Sequence, residues 1–315
     1  MSRGRIIPPH VFFLGAAGLL SASLPSALSA TGNNPQPIVF AAILLFGLGV
    51  PHGCFDHEVY RFARRRNGRP VRMAPFLFGY SAIAAGYAVV WIVSPLAGLA
   101  SFYLLTWFHW GEEDLLYRGT VLGRPVADRG ERAATIVARG GLPMALPLAA
   151  DPGSVREVFA WILGLFPADA AVPSTATVFA CGLAGSAVTL AAAAYLARKD
   201  REGRGRDLWE TGFLAVFFLF LHPLLSISLY FLFWHSIRHF ELMATRFRAE
   251  VRSERRRLLG SGLAILALTA ILLGVLVPLL PEIADFKAFL GLLLVFICCI
   301  TLPHTLVMRW IRPPR

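Results

Sequence analysis

The sequence predicts an all-α, polytopic integral membrane protein: one helical bundle of about ten transmembrane helices, with both termini cytoplasmic. Three observations predict it. The 315 residues are 56% hydrophobic and only 16% charged, with a mean hydropathy of +0.61; soluble domains carry about a quarter charged residues. The apolar residues form continuous runs of roughly 15–25, the length that crosses a hydrocarbon core about 30 Å thick. The basic residues are confined to short loops between those runs. Lipid-embedded backbone is satisfied only in helices or closed barrels, and continuous rather than alternating runs select helices. No loop is long enough for a separate soluble domain, so residues 1–315 read as a single membrane-embedded domain.

In chain order the runs predict helices at 11–30, 38–53, 75–94, 96–110, 133–150, 172–197, 208–222, 223–240, 258–280 and 286–308. Ten crossings place 28 of the 30 Lys and Arg on one side, in segments 3–5, 61–72, 118–139, 198–206, 238–257 and 309–315. Only Arg156 and Lys287 fall opposite. The positive-inside rule makes the crowded side cytoplasmic. The net charge of +11 is then a surface for anionic headgroups, which argues against nucleic acid and for the lipid bilayer as the partner. Arg3 and Arg5, the apolar stretch 11–20 and Ala27-Leu28-Ser29-Ala30 also fit a cleaved signal peptide, whose loss leaves the later topology unchanged. Arg139, Gly140, Gly141 and Pro143 place the first turn of the 133–150 segment outside the hydrocarbon. Residues 155–166 are too short to span and read as interfacial or re-entrant, because counting them as a crossing inverts every later loop. Cys54, Cys181, Cys298 and Cys299 lack metal-site spacing and read as small buried residues.

Four histidine motifs close apolar runs: Pro51-His52-Gly53-Cys54-Phe55-Asp56, Phe108-His109-Trp110-Gly111, Trp234-His235-Ser236-Ile237-Arg238-His239 and Leu302-Pro303-His304. Imidazole within a membrane is costly and marks function by default, and it is the commonest ligand for transition metals. The topology puts His52, His109, His235, His239 and His304 in one cytoplasmic layer. His222 falls at the opposite face beside Pro223, and His10 precedes the first helix. His235 and His239 are four apart and share a helix face. His52 and His109 are the expected further ligands, supplied by separate helices as in bundle-core metal sites. Asp56 and Asp114 are placed to hold the second imidazole nitrogens or to order the loops. Arg238 is placed to pair with Asp56 or Asp114, or to snorkel. His304 is expected in the pocket wall beside the metal, and His57 at the interface. Phe55, Trp107, Trp110, Tyr230, Phe231 and Trp234 read either as an interfacial aromatic belt or as a channel wall leading from the bilayer to the metal.

At these motifs the sequence resembles the bacteriorhodopsin-related (Brp/Blh) family of microbial beta-carotene 15,15'-dioxygenases. The matching pieces are Pro51-His52-Gly53 with Asp56-His57, Phe108-His109-Trp110-Gly111 with Asp114, the stretch 230–239, and Pro303-His304. Trp110 and Ile237 depart from the family pattern, which has phenylalanine and proline there. The resemblance implies a non-haem Fe(2+) cofactor and cleavage of beta-carotene by O2 at its central double bond to two all-trans-retinal. It also implies retinal passed to a microbial rhodopsin. A C40 hydrocarbon partitions into the bilayer, so its enzyme belongs there, and positioning rather than acid–base chemistry dominates. Other readings fit less well. Glu112-Glu113 with Arg118 is one residue out of register for a prenyl-protein protease. Six histidines are too few for a di-iron desaturase. The non-enzymatic reading is a transporter or a haem-binding electron carrier, and bis-histidine haem needs pairs at two depths rather than one layer.

Overall fold

The computed structural model describes residues 15, 50–124, 128–166, 171–199, 204–279 and 286–311, and no strand occurs among them. A 3₁₀ turn, Val50–Phe55, enters α1 (Asp56–Arg66). There follow α2 (Met73–Val93), α3 (Pro95–Thr120), α4 (Arg129–Ala150), α5 (Pro152–Leu163), α6 (Thr175–Lys199) and α7 (Arg204–Phe220). The chain continues through α8 (Pro223–Leu229), a π-helical stretch (Tyr230–Ser236), α9 (Ile237–Arg246), α10 (Arg248–Ser253), α11 (Arg255–Leu279) and α12 (Phe286–Met308). Among the described residues, α2, α4, α6 and Lys287–Met308 of α12 are long and apolar enough to cross a membrane. The expected 11–30 helix, almost all of the 38–53 helix, His10 and the signal-peptide reading lie outside the described residues.

Helices α1 and α10 form where loops were expected, and among the boundaries that differ, three have a clear physical reason. The helix expected to stop at residue 110 continues to Thr120, so His109 lies in its middle rather than at its end. Glu112, Glu113, Asp114 and Arg118 are all buried in that extension, and paired charges there do not end a helix as solvated ones do. The segment expected to begin at 133 begins at Arg129, where the Asp128 carboxylate caps the Glu131 N–H at 2.8 Å. Arg139, read as a sign of a solvated first turn, is buried instead. The expected 223–240 helix becomes α8, the π-helical stretch and α9, with Ser236 Oγ donating to the Phe231 carbonyl five residues back at 2.8 Å. Residues 155–166 form most of α5, a twelve-residue helix started by Pro152 with the Asp151 carboxylate accepting from Ser154 N–H. At about 18 Å it is too short to cross.

Polarity is distributed inside out. Phe78 and Phe220 are 77% and 82% exposed, and Leu104, Ile92 and Leu263 also face outward. Glu58, Arg61, Glu113, Arg139, Glu210 and Arg238 are buried. Soluble proteins rarely show either feature, and both are compatible with a membrane protein. Helices approach closely through small residues. A Cβ on Gly140 would strike the Trp107 carbonyl, and one on Gly111 the Ile136 backbone. Trp107 Nε1 closes the same α3–α4 seam by donating to the Val137 carbonyl at 3.0 Å. That seam fixes the turn of α3 carrying His109.

Candidate metal centre

Four histidines from separate parts of the chain meet in the interior: His109 of α3, His235 of the π-helical stretch, His239 of α9 and His304 of α12. All four are buried. The ring centroids of His109 and His235 are 5.1 Å apart, those of His109 and His304 4.9 Å, and those of His239 and His304 5.5 Å. The π turn and Pro303 inside α12 place two of the rings, since both features redirect side chains from α-helical register.

Glu113 stands among these rings. It follows His109 by one helical turn, and its Oε2 is 3.7 Å from His109 Nε2 and 3.4 Å from His235 Nε2. Its Oε1 lies 3.0 Å from His239 Nδ1. Donor atoms of His109, Glu113 and His235 all fall within 4.8 Å of one another, and so do those of Glu113, His239 and His304. Imidazoles with one carboxylate form a donor set suited to a first-row transition metal. His304 is held from behind, its Nδ1 2.8 Å from Asp56 Oδ1, while Tyr80 donates to the other Asp56 oxygen at 2.9 Å. A carboxylate on one imidazole nitrogen is how proteins fix the tautomer of a metal-bound histidine. His52 lies on the turn Val50–Phe55, and its side chain is outside the described residues.

Behind the histidines is a buried ionic lattice. Arg238 pairs with Asp114 and, at 3.0 Å, with Glu210, while its guanidinium stacks 4.0 Å over Trp234. Of the two expected partners for Arg238, the structure supplies Asp114. Arg139 joins Asp114, Asp207 and Glu210 at 3.5, 3.2 and 3.1 Å. These pairs tie α3, α4, α7 and α9 together immediately beside His239.

An apolar cavity of about 320 Å³ opens on the cluster. His109, His304, Asp56, His57 and Tyr80 line one end, and Val155, Phe159, Pro223 and Leu224 the other. Trp110 and Phe231 also line it. Phe55 packs instead on Phe240 and Gly262, Trp107 in the α3–α4 seam, and Tyr230 and Trp234 in the core around Phe218. Leu77 lines the cavity while being 48% exposed, so the space reaches the outer face of α2. His222 lies at the α7–α8 turn, apart from the cluster.

Residues 43–312 match the family described as beta-carotene 15,15'-dioxygenase. The chain belongs to the beta-carotene 15,15'-dioxygenase family. It is 33% identical over 319 residues to the probable beta-carotene 15,15'-dioxygenase Blh of Halobacterium salinarum, covering 94% of this chain and 90% of that protein. It is 26% identical to the beta-carotene 15,15'-dioxygenase of uncultured marine bacterium 66A03, covering 87% and 94%. No solved structure matches. The family resemblance read from the histidine motifs is therefore borne out, and a dioxygenase family suggests a metal cofactor for which these histidine and glutamate groups are suited. Sequence reasoning missed Glu113, Tyr80, Glu210 and Arg139. For Glu113 the signal was present: it is four residues from His109, on the same helix face. Nothing local pointed to Tyr80, Glu210 or Arg139 as partners.

Proposed function

We propose that this dioxygenase-family protein cleaves beta-carotene with O2 at the central 15,15' double bond to give two all-trans-retinal. The site would be a non-haem Fe(2+) held by His52, His109, His235 and His239. The supporting observation is the convergence of buried His109, His235, His239 and His304 with Glu113 at one end of an apolar cavity, and His52 enters the set from its Pro-His-Gly motif alone. Bound ferrous iron supplies the O2 chemistry. One oxygen atom goes to each aldehyde, so no external reductant is needed.

The protein's own residues position and exclude. Glu113 orients His239 and lies beside His109 and His235; Asp56 fixes His304 against the same space. Asp114 and Arg238 anchor α9 so that His239 does not drift. Trp110 and Phe231 hold the polyene and keep water from it, and the exposed Leu77 marks the entry of a lipid-dissolved substrate. Holding one alkene bond in place is the main contribution expected of the protein at such a site. The bundle would be a multi-pass cell-membrane protein of about ten crossings with cytoplasmic termini, the site near the cytoplasmic face. Retinal would pass to a microbial rhodopsin.

Expression in a beta-carotene-producing bacterial host tests this reading. Wild-type protein should bleach the orange cells and yield retinal, and His235→Ala should leave them orange. Cells that stay orange with folded wild-type protein, or bleach equally with His235→Ala, would refute it.

A further inference from the structure

The cavity has a depth, and two helices give the same value for it. On α3 its lining runs from His109 back to Leu99 and on α12 from His304 back to Leu294, while Pro223, Leu224, Ile227 and Phe231 line a third side. Each of the two runs is a separation of ten residues, or about 15 Å at helical rise. Asp56, His57, Tyr80, His109 and His304 line the histidine end. Val155, Phe159, Pro223 and Leu224, all apolar, line the far end, where Phe159 packs edge-on against Tyr103 at 5.5 Å. Val155, Phe159 and Leu224 are buried, with neighbours that hold them in place in the core.

The geometry points to a ruler: Val155, Phe159 and Leu224 form an end wall that decides which double bond lies at the histidines. This rests on the carotenoid-cleavage reading above. An extended carbon chain advances about 1.2 Å per bond, so a terminal ring with roughly nine chain bonds measures about 15 Å, half of a symmetric C40 carotenoid. A ring seated against the end wall therefore brings the central bond to the cluster. The ring half that is inserted sets the cut, and the outer half, towards Leu77, is not measured. Close-packed walls make such a stop definite, since a side chain larger by a few atoms cannot be absorbed without displacement.

The test is the product distribution from purified, iron-loaded full-length protein in detergent, with beta-carotene and with a carotenoid aldehyde that keeps one ring but has a shortened outer half. Wild type should release retinal as the ring-bearing product from both. Leu224→Phe shortens the tube and should convert at least half of the beta-carotene product into an unequal pair of aldehydes. Phe159→Leu, a change the fold tolerates more readily, deepens the tube and should also give unequal pairs. If either variant retains iron and turnover yet yields retinal alone, the ruler is overturned. It is equally overturned if wild type cuts the shortened substrate at a different distance from its ring. Absence of any retinal from wild type would instead overturn the cleavage reading, and the ruler with it.

Discussion

Glu113 is the residue on which the cluster turns, because its two oxygens face three imidazoles from three helical segments. Glu113→Gln keeps the shape but removes the charge, and should weaken iron binding by about 10–100-fold, the usual loss for a carboxylate that orients or joins a metal site. Iron per chain after dialysis against a graded chelator measures it; unchanged retention would remove Glu113 from the site. His222→Ala should leave iron untouched, since His222 lies at the α7–α8 turn and belongs to neither group of close donor atoms. Loss of iron there would show that the helix assignment between Asp207 and His239 is wrong. That His109, His235, His239 and His304 would gather was legible, because an imidazole at the end of an apolar run has few structural uses. Glu113 was hidden in a Glu-Glu pair that drew attention to a protease register. The Asp56–His304 bond joins residues 248 apart, and no local pattern carries such a pairing.

At the level of elements, α3 and α4 are the frame. Their close approach at Gly111 and Gly140 leaves no room for a methyl group, and overpacking such a seam costs about 1–3 kcal/mol. Gly140→Ala should lower the melting temperature and, by displacing the Trp107 turn, reduce bound iron as well. A Gly140→Ala protein with wild-type melting and iron content would show that the seam is not rigid. The long apolar helices among the described residues were legible from hydropathy, and the short α5 was too, whereas the charged α1 and α10 form where loops were expected. The overrun of α3 was not, because a run of Glu, Glu and Asp normally ends a membrane helix; here partners on α4, α7 and α9 keep it buried. The π turn was equally hidden, since widening the helix by one residue leaves the apolar pattern of 223–240 intact.

On the scale of the whole molecule, apolar side chains face outward and the charges that remain inside are matched. Arg238 is the centre of that balance, between Asp114 and Glu210. Removing one partner of a buried pair costs about 3–5 kcal/mol, so Arg238→Ala should unfold at lower temperature. The double variant Arg238→Ala with Glu210→Gln should recover part of the loss. Additive losses would mean that the two charges do not meet in the folded protein. The expected topology makes its own demand: a reporter fused after Arg66 should read cytoplasmic, and an external reading would withdraw the shared histidine layer.

The central claim is that iron at the histidine cluster splits beta-carotene in half. The measurement that tests it most directly is retinal formed per beta-carotene consumed by purified protein, first stripped of metal with a chelator and then restored with ferrous iron. The account predicts no turnover after stripping, recovery with iron, and two retinal molecules for each substrate lost. Undiminished turnover in stripped protein, or a yield well away from two, would contradict it.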